Sequence, residues 1–503
     1  MNQSRNSEQL MPSLIHLDKS DGTPLYQQIY DELRRAILNQ QLEAGTKLPS
    51  TRELADTLNV SRNTVKSAFS QLTSEGYLES FVGAGTFVSH QLPDDLSIAF
   101  VKPSPQFSET ERHLSKRGQS LIWLGKLARS QKIYRDTNHI FVIGVPELGA
   151  FPFELWSKLS TKVPRKLSAN HFGYHQDPLG YQPLREAIAR YVRTSRAVRC
   201  EAAQILIVSG SQQGFFTAAQ TLVNPDNHVW VEEPGYSGSK GVMMYLGHNI
   251  VPVPVDAEGI QVEQGIQLQP DARMAIVTPS HQYPLGMTMS LPRRLQLLKW
   301  ASQNESWILE DDYDSEFRYS GPPLASLQGL DHQGRVIYMG TFSKVLFPAL
   351  RLSYLILPPD LVDAFVGVYL PTGNNVPMLS QAVLAEFIQE GHFSRHIRRM
   401  RKLYHQRRNH LLDALKKHLG EVVEIGPRDG GMHLNIWLPE NIRVQDVTKH
   451  LEKYNAQNVA LSLNYLDQHH RDGLLLGFSS ATESQIETNV KELAQAIETA
   501  TST

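Results

Sequence analysis

Two short segments constrain this chain most. In the first, the apolar run Trp307-Ile308-Leu309 ends in Glu310-Asp311-Asp312-Tyr313. In the second, Gly340-Thr341-Phe342-Ser343-Lys344 is followed by Arg351. The apolar run reads as a strand buried on both faces of an α/β sheet. Carboxylates at the C-terminal end of such a strand lie where these sheets bind ligands. A lysine behind small hydroxyl residues, with an arginine one or two helical turns on, suits a phosphorylated carbonyl compound. The amine condenses with the carbonyl, and the Thr341 and Ser343 hydroxyls and the Arg351 guanidinium hold the phosphate.

Pyridoxal 5'-phosphate (PLP) meets those requirements. Lys344 is the candidate for the Schiff base, Asp311 for the partner of the protonated pyridine nitrogen, and Tyr313 for a donor to the ring's 3'-oxygen. Each segment alone is a weak signal. An exposed Ser-Lys step is ordinarily surface, and acidic residues often do no more than cap a strand. Together they point to the cofactor.

Composition sets the frame. With 503 residues the chain exceeds one ordinary domain. A hydrophobic content of 41% and a charged content of 20% describe a globular protein. The net charge of −2 offers no global attraction to nucleic acid, so DNA binding has to come from a local patch. The single cysteine, Cys200, excludes an intrachain disulfide and suits a reducing cytoplasm. Residues 1–17 lack the apolar core of a secretory signal, and no run has the length of a membrane span. No zinc-ligand cluster or other metal motif is evident.

Residues 20–90 carry a second pattern. Pro24-Leu25-Tyr26 opens a helix whose Tyr26, Ile29, Leu33 and Ile37 form one apolar face. Ser50 and Glu53 make a capping box for the next helix. Asn59-Val60-Ser61 is a tight turn, and Ser61 caps a third helix with Arg62, Thr64 and Lys66 near its start. Polar and basic residues there suit a recognition helix in a major groove. Phe81 to Val88, with Gly83 and Gly85, reads as a two-stranded wing. Acidic residues outnumber basic ones over residues 20–90. Phosphate contacts must therefore be few and well placed.

Residues 91–138 read as a linker, extended at its proline-rich start. From 139 onward strands and helices alternate. Ile205-Leu206-Ile207-Val208 breaks into Ser209-Gly210-Ser211-Gln212, and a helix follows. Free N–H groups at that helix N-terminus make Ser211 and Gln212 candidates for the phosphate.

Leu-Pro-Ser-x-Arg-x-Leu-Ala, Val-Ser-Arg-x-Thr-Val and Gly-x-Gly-Thr-Phe-Val occur in that order, and the spacing from Asp311 to Lys344 to Arg351 completes the pattern. The sequence resembles the MocR/GabR type of GntR-superfamily regulators over nearly its whole length. The resemblance implies a multidomain chain: an N-terminal winged helix-turn-helix (α+β) fused to an α/β PLP-dependent aminotransferase-like fold of type I at 139–503. A small C-terminal subdomain is expected from about 385, with strands at Val422-Val423, Gly430–Trp437 and Leu474–Phe478. The resemblance assigns Arg52, Arg62, Thr64, Lys66 and Gly83 to DNA, Tyr236 to the face of the pyridine ring and Tyr174 to the other subunit's cofactor. Tyr283 stands where catalytic aminotransferases have asparagine, which leaves the 3'-oxygen to Tyr313. Residues 394–408 form a basic amphipathic helix. Its charged face is either solvated or a second surface for DNA or a dimer partner.

The expected function is a PLP-dependent, DNA-binding transcriptional regulator acting as a homodimer on double-stranded operator DNA and answering to a small effector. Its expected catalysis is at most a residual transamination half-reaction. The alternative is a working aminotransferase with an accessory DNA-binding domain. The family positions for a carboxylate-binding arginine fall on Gly238 and Leu475, which cannot supply one. Arg471 could replace the charge only if its loop folds inward. PLP itself is therefore the favoured effector, ahead of an amine or amino acid that reacts with the cofactor.

Overall fold

The computed structural model describes residues 14–18, 20–81, 83–90, 92, 114–115, 118–119, 122, 140–173, 177–321, 324–372, 376–454, 456, 459–466 and 471–501. The chain divides into two compact units, 1–113 and 114–503. Most of the expected linker lies outside the described residues.

The first unit holds helices α1 (Leu25–Leu38), α2 (Thr51–Leu58) and α3 (Arg62–Ser74), then strands β1 (Leu78–Phe81) and β2 (Gly85–Val88), paired antiparallel. Its core is Ile29, Leu33, Ile37, Leu54, Val65, Phe69, Leu72 and Val88. At α2 the Ser50 hydroxyl accepts from Glu53 N at 3.2 Å, and the Glu53 carboxylate accepts from Ser50 N at 2.9 Å. Asn59, at φ 51°, ends α2 in the left-handed region, and Ser61 caps α3. Tyr26 departs from expectation, being 39% exposed. The buried stripe of α1 turns instead toward Tyr30, whose hydroxyl donates to Glu75 at the end of α3. Ser50→Ala is expected to cost about 1 kcal/mol of stability in this unit. A urea melt of the full chain checks this; an unchanged transition for this unit would contradict it.

The second unit is built on an eight-stranded sheet in the order β3-β10-β9-β8-β7-β4-β5-β6. The strands are β3 (Ile205–Val208), β4 (His228–Glu233), β5 (Asn249–Asp256), β6 (Gly259–Ile260), β7 (Met274–Val277), β8 (Trp307–Asp312), β9 (Val336–Thr341) and β10 (Ser353–Ile356). The run β5-β4-β7-β8-β9 is parallel, and β10 is antiparallel to both of its neighbours. Every residue of β8 is buried, because apolar clusters cover both faces. Leu309, Ile337 and Met339 pack on one face with Phe215 and Phe365; Ile308 and Val336 pack on the other with Trp300.

A three-stranded antiparallel sheet, β11 (Glu424–Ile425), β12 (His433–Trp437) and β13 (Gly473–Gly477), forms the small subdomain with the helix Glu483–Thr501. Its first strand lies two residues beyond the expected Val422-Val423, and Val422 is exposed. The expected boundary near 385 falls inside the helix Met378–Gln389, whose Leu384 and Phe387 belong to the large-subdomain core. The long helix His392–Leu419 makes the join: Phe393 and Ile397 pack in the large core, and Met400, Tyr404 and Leu411 in the small one.

Candidate functional site

The parallel strands bring the ends of β4, β7, β8 and β9 to one edge of the sheet, where open α/β sheets bind ligands. Strand alternation sorts the acidic triplet of β8. Glu310 and Asp312 point one way. Glu310 accepts from Leu327 N and Gln328 N, and Asp312 takes Arg196 at 2.7 Å and the Tyr338 hydroxyl at 2.6 Å. Those are structural bonds. Asp311 points the other way, into a crevice it shares with Phe215, Tyr236 and Thr278.

Asp311 is buried, and its Oδ1 has no hydrogen-bond partner. Burial, then the nearby Asp312, pushes its pKa up to about 8, while Lys344 pulls the other way. A carboxylate in that condition is poised to take a cationic hydrogen-bond donor. Lys344 follows β9 and donates to the Gly144 carbonyl at 3.0 Å. Burial lowers its pKa against the opposing charges of Asp314 and Asp311. A buried amine that loses its proton easily is a better nucleophile.

The phosphate candidates gather separately. Gly210, at φ 85°, precedes the helix Ser211–Leu222, and the Arg351 guanidinium lies against it where a Cβ would stand. Arg351 also donates to Ser209 O at 3.4 Å. It is reached through a 3₁₀ turn, Pro348–Leu350, and sits at φ 50°. The expected one or two helical turns between lysine and arginine are thus replaced by an irregular loop. Thr341 ends β9 and accepts from Ser343 N at 3.2 Å and from Ser353 Oγ at 2.8 Å. The Gln212 amide reaches the Tyr236 hydroxyl at 3.5 Å, and a Cβ on Gly238 would collide with both side chains.

Tyr313 lies one residue past β8, with its hydroxyl 2.8 Å from His281 Nδ1. Tyr283 stands edge-on to both Tyr313 and Tyr236. Tyr174 lies outside the described residues. Sequence reasoning missed Gly144, His281 and Asp314 as members of this site. Asp314 follows Tyr313 directly, but an acidic residue in a turn carries no signal of burial.

PLP fits the residues present. An unpartnered buried carboxylate suits a protonated ring nitrogen. A lysine shielded from water suits the carbonyl, and a glycine-lined helix N-terminus beside an arginine suits the phosphate dianion. Arg471 does not fold toward this site: it pairs with Glu424 at 2.6 Å and lies over the Trp437 ring. Leu475 is buried among Leu285 and Leu461.

The basic helix turns much of its charge onto the protein itself. Arg407 pairs with Glu147 at 2.7 Å, Arg399 donates to Ala150 O, Arg401 to Glu316 O and Arg408 to Arg428 O. Among the described residues no group of His, Cys, Asp or Glu could hold a metal ion, and no helix is long and apolar enough to cross a membrane.

In the first unit Arg52, Arg62, Lys66 and Gly83 are exposed. Thr64 is half-buried, its hydroxyl 2.8 Å from Ser61 Oγ in the helix cap. A shallow groove along α3 is lined by Asn63, Lys66, Ser67, Ser70 and Gln71. The last three lie beyond the helix start on which the sequence pattern focused. They extend the polar face over three turns.

Residues 25–88 match the family described as bacterial regulatory proteins, gntR family, and residues 149–460 match aminotransferase class I and II. The probable rhizopine catabolism regulatory protein MocR of Rhizobium meliloti is 36% identical over 483 residues, 96% of each chain. The HTH-type pyridoxine biosynthesis transcriptional regulator PdxR of Corynebacterium glutamicum is 30% identical over 487 residues, 96% of this chain and 98% of that one. Pyrococcus horikoshii kynurenine aminotransferase, solved in complex with PMP, has a TM-score of 0.69 at 27% identity, covering 78% of this chain and 98% of that one. A gntR-family winged helix and a PLP-type aminotransferase fold thus share one polypeptide, and the chain belongs to the MocR-type transcriptional regulators.

Proposed function

We propose that this chain binds operator DNA as a homodimer and that occupancy of the Lys344 site by PLP is the signal it reports. The observation that carries the reading is one polypeptide with both an exposed polar helix in its gntR-family unit and a lysine of lowered pKa near a buried aspartate whose Oδ1 has no partner. PLP supplies an electrophilic carbonyl and an electron-withdrawing ring when bound. Lys344 is the point of covalent attachment. Asp311 would balance the proton on the ring nitrogen, and Tyr236, which lines the same crevice, would stack on the ring. Arg351, Thr341, Ser343 and the N–H groups of Ser211 and Gln212 hold the phosphate. On the DNA side, Arg62 and Lys66 present cations from α3, with Arg52 and the Gly83 wing beside them. A small recognition surface needs two copies, so the site on DNA has two half-sites.

Two things support PLP over an amino acid as the effector. Gly238 leaves no space for a side chain, and Leu475 is aliphatic, so neither holds a carboxylate. PdxR, similar along nearly its full length, is named for pyridoxine biosynthesis.

The test adds millimolar amino acids and amines to the holo protein, reading visible absorbance and affinity for a duplex selected from a random pool. The expected result is affinity that follows cofactor occupancy alone. Turnover with amino-acid and keto-acid pairs should stay below about 1 per second, under ordinary enzyme rates. An amino acid that shifts both spectrum and affinity, with PLP alone leaving affinity unchanged, would overturn the choice of effector. Sustained turnover at ordinary rates would favour the enzyme.

A further inference from the structure

One hydrogen bond in the site can run in either direction, and the direction matters. The Tyr313 hydroxyl and His281 Nδ1 are 2.8 Å apart. If the hydroxyl donates to Nδ1, its proton is committed to the imidazole. If Nδ1–H donates to the hydroxyl oxygen, the phenol proton is free for a third group. Tyr283 occupies the position of the family's asparagine, so the 3'-oxygen has Tyr313 as its candidate donor.

Asp314 biases the choice. Its Oδ1 lies 3.2 Å from the same His281 Nδ1, and its side chain is 1% exposed. Neither of its carboxylate oxygens has a hydrogen-bond partner, so it acts on His281 through its charge. An ionised carboxylate only accepts, and one held beside a ring nitrogen favours the tautomer with the proton on that nitrogen. The imidazole is fixed in place. Gly431, at φ 83°, leaves room for the ring where a Cβ would collide with it, and Gly286 lies against Nε2. The His433 ring lies 5.6 Å away, its Nε2 donating to Pro284 O at 3.1 Å. The titratable groups facing His281 are Tyr313 and Asp314 from the segment after β8 and His433 from β12. Asp311 and Lys344 act on the same cluster.

We propose that Asp314 and His281 are positioning residues that keep the proton on His281 Nδ1, so that the Tyr313 hydroxyl donates to the 3'-oxygen of the cofactor. The role rests on the cofactor reading above. A donor at that oxygen stabilises negative charge there and weakens the hold of the adjacent Lys344-bound nitrogen on its proton. Without Asp314 the Tyr313 proton turns to His281 and that donor is gone.

The sign of one measurement separates this role from a plain charge effect. Losing the donor lets the linking nitrogen keep its proton to higher pH. Losing only the Asp314 charge has the opposite sign, because Asp314, ahead of Asp311, favours the charged form of Lys344 against the burial that opposes it. The experiment is a pH titration of the visible absorbance of the holo protein. It compares wild type, Tyr313→Phe, Asp314→Asn, Asp314→Ser and Tyr313→Phe/Asp314→Asn. Asp314→Ser guards against misfolding of the asparagine variant.

The midpoint is expected to rise by about one pH unit in Tyr313→Phe, the size of one hydrogen bond to a charged group, and by less in each Asp314 variant, where the lost charge opposes the rise. The double variant should rise no further than Tyr313→Phe. A midpoint that stays put or falls in the Asp314 variants while Tyr313→Phe rises overturns the proposal. So does an unmoved Tyr313→Phe. Borohydride fixation of the cofactor is run in parallel on wild type and Lys344→Ala. Equal labelling of the two would remove the underlying cofactor reading, a failure distinct from either outcome above.

Discussion

Lys344→Ala is expected to abolish covalent retention of the cofactor. Borohydride treatment followed by intact-mass measurement should add one cofactor to the wild-type chain and none to the variant. The reason is positional. Lys344 is the half-buried lysine beside Asp311 and Asp314, and its pKa is lowered by desolvation while those carboxylates oppose the shift. Lys240, which is more deeply buried, is held by Glu233 at 2.5 Å and by the Asn464 carbonyl at 2.7 Å. Lys240 is thereby committed, whereas Lys344 has only the Gly144 carbonyl. A variant that still acquires a reducible adduct would move the attachment to another lysine.

Arg62→Ala combined with Lys66→Ala is expected to weaken duplex binding strongly while leaving the cofactor's absorbance unchanged. Both side chains are exposed on α3; Lys66 lines its polar groove, and Arg62 reaches the Thr51 hydroxyl at 3.4 Å. Removing a hydrogen bond to a base edge should cost about 1–3 kcal/mol and relax specificity at one base pair. Removing an ion pair with a phosphate would instead weaken binding to all sequences and flatten the salt dependence. Anisotropy titrations at several salt concentrations distinguish the two. Wild-type affinity in the double variant would remove α3 from the DNA interface.

The sequence was most legible where local chemistry forces structure. The Ser50–Glu53 capping box, the Ser61 cap and the glycine-turned wing each need only a few adjacent residues, and each is present in the fold. The family and the cofactor-binding fold were equally readable, because motif order carries them. Side-chain direction was harder. Asp311 and Asp312 are identical in type and adjacent, and only alternation along β8 sends one to the crevice and the other to Arg196. Long-range partners were invisible. The basic helix looked like a free charged face until Arg399, Arg401 and Arg407 met Ala150, Glu316, Glu147 and Ser479 from segments distant in the chain. Tyr26 was placed on the buried face by periodicity, but a hydrogen bond to Glu75 drew Tyr30 inward instead. Asp314 and His281 went unnoticed for the same reason: their burial depends on where Gly431 and His433 arrive.

The most direct measurement is duplex affinity of the full-length protein with the cofactor bound and after its removal, at one salt concentration and one temperature. A signal carried by PLP requires unequal binding to two conformations that differ in affinity for DNA. The predicted result is a difference of about fivefold or more between the holo and cofactor-free proteins, restored by adding PLP back and absent in Lys344→Ala. Equal affinities in the two forms, with the cofactor shown to be bound in one and gone from the other, would contradict PLP occupancy as the signal.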